Sequence, residues 1–96
     1  MDEPQPVDRL HRLGFAQLLQ DRAREADLLA VLGLVSIERE NWDEALVNLR
    51  RALGIYNLMP ASTNKPQVIW NIGRAQRGLK REQMLQALTQ ADARHE

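Results

Sequence analysis

The chain has no cysteine among its 96 residues. That removes disulfide staples, thiolate chemistry and every cysteine-based metal site, and it fits a reducing cytosol. Aromatic residues are scarce: Phe15, Trp42, Tyr56 and Trp70 are the whole set. There is no apolar stretch near the roughly 18 residues that span a bilayer. The first ten residues, MDEPQPVDRL, are acidic and hold no apolar run, so they do not read as a signal peptide. No glycine-rich loop is present to cradle a phosphate. The two histidines, His11 and His95, stand far apart without ligands at metal spacing, and neither Ser36 nor Ser62 has a histidine beside it in sequence. These absences leave no catalytic residue, no metal and no cofactor to assign, and they point to a cytoplasmic, membrane-free, non-enzymatic protein.

What is present favours helix. Leu and Ala carry most of an apolar share of 44%, and both are good helix formers. Net charge is zero but unevenly spread. Residues 1–44 hold ten acids and five arginines, a balance of −5, and residues 45–96 hold eight bases and three acids, a balance of +5. Such a dipole can orient a partner or pair two copies head to tail. The missing net charge argues against nucleic acid as the ligand, because phosphate binding needs a basic footprint. A regulator binding nucleic acid through the basic half is the reading this disfavours.

Periodicity divides the chain into about five helices. Residues 1–6 form a polar, proline-broken leader. Asp8 is a candidate cap for a first helix over residues 7–20, and the charged run Asp21–Glu25 reads as a turn or a continuation, of which a break is the favoured reading. A second helix, Ala26–Arg39, is apolar on every side, which predicts a central place covered by neighbours. Asn41 with Glu44 makes a capping box for a third helix, with Asp43 and Glu44 set against its dipole. Ala45, Leu49, Ala52, Leu53 and Tyr56 form that helix's buried stripe. Pro60–Pro66 is a loop, and Asn64 with Gln67 is a second capping box. The fourth helix ends at Gly78, and the fifth covers about Arg81–Ala91 before a polar tail, residues 92–96.

Small residues sit where the second and third helices would cross. Gly33 allows close approach, Ala45 and Ala52 offer flat patches, and Leu29, Leu32, Leu49 and Leu53 fill the space around them. Leu32-Gly33, Ala45 twelve residues on, then Leu49 and Ala52, together with the phrases ENWDEAL and LRRAL, resemble a tetratricopeptide repeat. A second unit begins near Pro66, where WNIGRA places Asn71, Ile72 and Gly73 at matching positions. The Gly33-to-Gly73 step is forty residues, like the longer-spaced members of that family. Two positions depart from the pattern: Ser36 replaces an aromatic, and Glu40 replaces the turn glycine.

The resemblance implies an all-α fold of antiparallel hairpins, residues 26–58 and 64–91, stacked as a short right-handed superhelix behind a capping segment at residues 7–25. Its crossing residues would be Gly33, Ala45, Ala52 and Gly73. It also implies a non-catalytic adaptor with a groove lined by first helices: Asp27, Ala30, Val31, Leu34 and Ile37 from one unit, Trp70, Asn71, Arg74 and Arg77 from the next. Asn71 would hold the backbone of an extended peptide, since an amide both donates and accepts. Arg74 and Arg77, with Arg81 and Lys65 nearby, could grip an acidic segment. Trp70 has a core place open to it as well as a groove place. The partner is another protein or peptide, and a small chaperone or assembly factor shielding a client segment is the alternative. Two units are few for a stacked array, so a cap or a homodimer would complete it.

Overall fold

The structure, a computed structural model, describes the backbone of residues 6–59 and 62–95 and the side chains of residues 14–59 and 62–94. The described residues form three helices: α1 (Pro6–Glu38), α2 (Trp42–Tyr56) and α3 (Lys65–His95). All are α-helical, and no strand occurs among the described residues. The expected five helices are therefore three. Residues 1–5 of the expected leader lie outside the described residues, and Pro6 opens α1 at a position where its missing N–H costs nothing. Asp8 consequently lies within the helix and does not cap it.

The break expected at Asp21–Glu25 is absent. That run holds neither glycine nor proline, and its charges pair along the helix: Arg22 with Glu25 at 3.0 Å, and Arg24 with Asp21 at 4.0 Å. Gln17 also donates to Asp21 at 3.1 Å. These contacts are exposed and individually weak, but nothing opposes them. The second break, at Gly78, is absent for a different reason. No glycine of the described chain has positive φ, and a glycine ends a helix only by turning left-handed. Gly78 stays helical because α3 passes close to Trp42 there; an added Cβ would lie 2.6 Å from the indole ring. The expected second hairpin, residues 64–91, is accordingly a single helix.

The turn after α1 is a Schellman motif. Asn41 N–H donates to Ser36 C=O at 2.8 Å, and Glu40 N–H to Ile37 C=O at 2.9 Å. Glu40 takes the left-handed place with φ of 57°, a conformation that costs a non-glycine residue roughly 1–2 kcal/mol. Asn41 opens α2, but its side chain binds the Glu44 carboxylate at 2.7 Å and no backbone N–H, so the expected capping box is not formed. Asp43 and Glu44 do lie in the first turn of α2.

Contacts fix the helix directions. Gly33 of α1 lies against Leu49 of α2, and Asp27 of α1 meets Tyr56 of α2, so these two helices are antiparallel. Asp27 also meets Asn64 at the start of α3, whereas Glu38 meets Arg74 further along it, so α1 and α3 run in the same direction. Ala26, Leu29, Ile37, Ala45, Leu46, Leu49, Ala52, Tyr56, Val68 and Ala75 form the core. Gly33 is buried against fully buried Leu49. Gly73 makes no such crossing, since a Cβ there would approach only Arg77 of its own helix. Ser36, where an aromatic was expected, is buried and donates to Leu32 C=O at 3.0 Å.

The core occupies only the middle of an elongated body, 86 × 18 × 17 Å. The first half of α1 projects past one end of α2, and the last turns of α3 project past the other. Leu28, Leu32 and Val35 are exposed on the side of α1 that a separate first helix was expected to cover.

Two substitutions check this framework. Glu40→Gly relieves the left-handed residue and is expected to stabilise by about 0.5–1 kcal/mol, the strain relief less the entropy cost of glycine. A rise of a few degrees in Tm follows. Ala45→Leu overpacks the α1–α2 interface and is expected to cost roughly 1–3 kcal/mol. Thermal melts followed by circular dichroism measure both.

Candidate functional site

The parallel course of α1 and α3 leaves a cleft between them, closed behind by α2. Its volume is about 230 Å³. Ala30, Val31 and Leu34 of α1 and Val68 of α3 supply its apolar walls, and Asn64, Gln67 and Asn71 supply amides along the α3 side. Asp27 and Tyr56 close one end.

That end is the most connected polar point among the described residues. The Asp27 carboxylate accepts a short hydrogen bond from the Tyr56 hydroxyl and a second, at 3.0 Å, from Asn64 Nδ2. One side chain of α1 thereby ties together the last turn of α2 and the start of α3. Burial raises the Tyr56 phenol, and the adjoining Asp27 carboxylate raises it further, so that its pKa is pushed up to about 12 although the Asn64 amide pulls the other way.

Asn71 is nearly buried, 4% exposed, and its Oδ1 accepts from Arg74 Nη1 at 3.1 Å. Arg74 also reaches Glu38 of α1 at 3.9 Å, so it bridges the two helices above the cleft. Of the residues expected to line a groove, Asp27, Ala30, Val31, Leu34 and Asn71 stand together around this cleft. Ile37 does not: it belongs to the core, on the side of α1 that faces α2. Trp70, Arg74 and Arg77 lie outside the lining. Trp70 is 62% exposed and carries the Arg77 guanidinium 5.7 Å from its ring centroid, a cation–π pair on the open face of α3.

Four lining residues escaped the sequence reading as groove residues: Tyr56, Asn64, Gln67 and Val68. Asn64 and Gln67 carry the signature of a cap, but Asn64 directs its amide to Asp27, 37 residues away. Local spacing holds no trace of that pairing. Among the described residues no cluster of three or more His, Cys, Asp or Glu could hold a metal ion. No described helix is long and apolar enough to cross a membrane.

Tyr56→Phe deletes the hydrogen bond to a charged acceptor and is expected to cost roughly 1.5–3 kcal/mol in urea denaturation. The sign of the pH effect follows from the raised phenol. The unfolded phenol ionises near 10 and the folded one near 12, so the contribution of Tyr56 is intact below the unfolded value. It declines as pH climbs from there through the folded value. Over that alkaline interval the wild type should lose stability more steeply than Tyr56→Phe.

Comparison with curated proteins and with solved structures found no match. The SHNi-TPR family model matches residues 26–62, a span that begins in the second half of α1, takes in the Schellman turn and all of α2, and stops short of α3. Domains of this type are generally non-catalytic and act through contact with other proteins. The hairpin of this chain, from Ala26 to the loop before α3, is thus similar to a tetratricopeptide-type unit.

Proposed function

We propose that the chain is a non-catalytic interaction module that holds a segment of a partner protein in the cleft between α1 and α3. The observation that carries this reading is the composition of the cleft. Its walls are apolar and suit one or two inserted side chains, and its α3 edge presents amides that can both donate to and accept from a peptide backbone. Arg74 takes up one end of the Asn71 amide and leaves the Nδ2 donors for a ligand. Arg74 places positive charge beside the cleft, Arg77 adds to it from the open face of α3, and both favour a segment with acidic residues next to its apolar anchor.

A second reading, a small chaperone or assembly factor that covers a client segment, draws on one further observation. Leu28, Leu32 and Val35 leave an apolar strip on the opposite side of α1, a larger surface than a short peptide needs.

Selection from a displayed peptide library against the pure protein tests the first reading. Peptides with an apolar anchor and flanking acids are expected. They should perturb the amide resonances of residues 27–34 and 67–71. Val31→Asp and Asn71→Ala should each weaken binding about tenfold or more while the helical circular dichroism signal is kept. Perturbation confined to the Leu28–Val35 strip would transfer the site to that side and favour the second reading.

A further inference from the structure

Gly33 and Gly73 stand forty residues apart, and the same step carries a whole face of α1 onto α3. Ala26, Leu29, Ala30, Gly33, Ser36 and Ile37 become Pro66, Ile69, Trp70, Gly73, Gln76 and Arg77. At helical spacing each set shares one face, centred on its glycine. The two faces have opposite fates. On α1, Leu49 of α2 seats at Gly33, Ala30 is half-buried and the other four side chains are buried. On α3, no described helix covers the equivalent face. Ile69 is 50% exposed and Trp70 62%, and Pro66, Gln76 and Arg77 are exposed too. A Cβ added to Gly73 would approach only the Arg77 side chain of its own helix. Val68, Asn71 and Ala75, on the opposite side of α3, are the residues it buries.

We infer that this face of α3 docks an acidic amphipathic helix of a partner protein, antiparallel to α3, with a large aliphatic side chain over Gly73 as α2 sets Leu49 over Gly33. The hairpin within the protomer shows that such a crossing forms, and it fixes the register of the partner's side chains. In an antiparallel pair, one turn before the leucine on the docked helix lies beside one turn after the glycine on α3. On α1 that place holds Ile37, which shares the core with Ala45 of α2. On α3 it holds Arg77, and Lys80 follows on the same face. The docked helix therefore needs Asp or Glu where α2 has Ala45, four residues before its leucine. Trp70 stands in the place of Ala30, so the helix needs a small residue about one turn after the leucine.

Charge decides the occupant. Arg77, Lys80 and Arg81 lie on or beside this face, and among the described residues none of them is paired with a carboxylate. The Arg77 guanidinium rests over the Trp70 ring, and its Nη1 is 3.3 Å from the Cβ position of Gly73. A carboxylate on the docked helix can draw this flexible side chain off the glycine and bind it through two N–H groups. A second copy of α3 cannot supply that acid. Laying its Met84 or Leu88 over Gly73 would bring Arg77, Lys80 and Arg81 of both chains together, and like charges at such an axis repel. The face is also distinct from the cleft, whose α3 edge is formed by Gln67, Val68 and Asn71. The two sites can be occupied at once.

A displayed library built on the α2 sequence, varied at Trp42, Ala45, Leu49, Ala52 and Tyr56, can be selected against the pure full chain. The expected winners keep a large aliphatic residue at position 49 and gain an acid at position 45 or 42. Added as synthetic peptides, they should shift the amide resonances of residues 69–77. Gly73→Leu fills the crossing and Arg77→Glu reverses the charge, so each should weaken binding about tenfold or more. Both variants should keep the helical circular dichroism signal, since both positions face away from the core and leucine and glutamate favour helix. Gly73→Leu should leave peptides selected for the cleft bound as before, which separates a failure here from a failure of the cleft reading. A library without binders overturns the inference. So do winners with no acid at either position, binding indifferent to Gly73→Leu, or shifts centred on Gly33 in place of Gly73. A wild-type mass twice the single-chain 11.0 kDa, halved by Gly73→Leu, would give the face to a second copy and overturn it as well.

Discussion

The approach of α1 to α2 at Gly33 governs everything else in this molecule. Leu49 fills the space a side chain at position 33 would take, with 2.5 Å separating its Cγ from the site of a hypothetical Cβ. With so small a core, the close approach sets the hairpin's register, because fully buried Ala45, Leu49 and Ala52 fit the α1 face at one alignment only. That register brings Asp27 opposite Tyr56, and the pair then collects Asn64. The start of α3 is thereby fixed next to α1, and the cleft follows from the two helices lying side by side. A second close approach, Gly78 under the Trp42 ring, holds the other end of α3 against the start of α2.

Asp27 shows how a polar residue can organise a fold from the edge of its core. A carboxylate that accepts from both a buried phenol and an amide is satisfied without leaving the surface, so it incurs little desolvation cost. One donor comes from α2 and the other from the residue directly before α3. The groups that shape the closed end of the cleft are therefore the same groups that join the three helices. A ligand that disturbed Asp27 would loosen the junction between α2 and α3, whereas one that used Val31, Leu34 and Asn71 would leave it alone.

Much of the hairpin was legible because its determinants are local. Gly33 with Ala45, Leu49 and Ala52 marks the crossing, Glu40 marks the turn, and Asp27, Ala30, Val31 and Leu34 share one face of α1 through their three- and four-residue spacing. The helix count was not legible, and both errors share one cause. A stop signal read from composition is conditional on the backbone conformation that the tertiary structure selects. The Asp21–Glu25 run looks like a loop but contains only residues a helix accepts. Gly78 looks like a cap but answers to Trp42, 36 residues away. Ile37 illustrates the same limit at the level of side chains: it lies one turn from Leu34 in sequence, yet the rotation of α1 against α2 sends one into the core and leaves the other at the cleft.

The two missing breaks also explain the shape. Had α1 and α3 each turned back at the expected positions, the returning segments would have covered Leu28, Leu32 and Val35 on one side and Trp70 with Met84 and Leu88 on the other. As continuous helices they reach beyond a core only fifteen residues of α2 long, and their apolar stripes extend into solvent at opposite ends of an 86 Å body. Exposed apolar area of this extent is unfavourable for an isolated chain of 96 residues, which has little core to offset it.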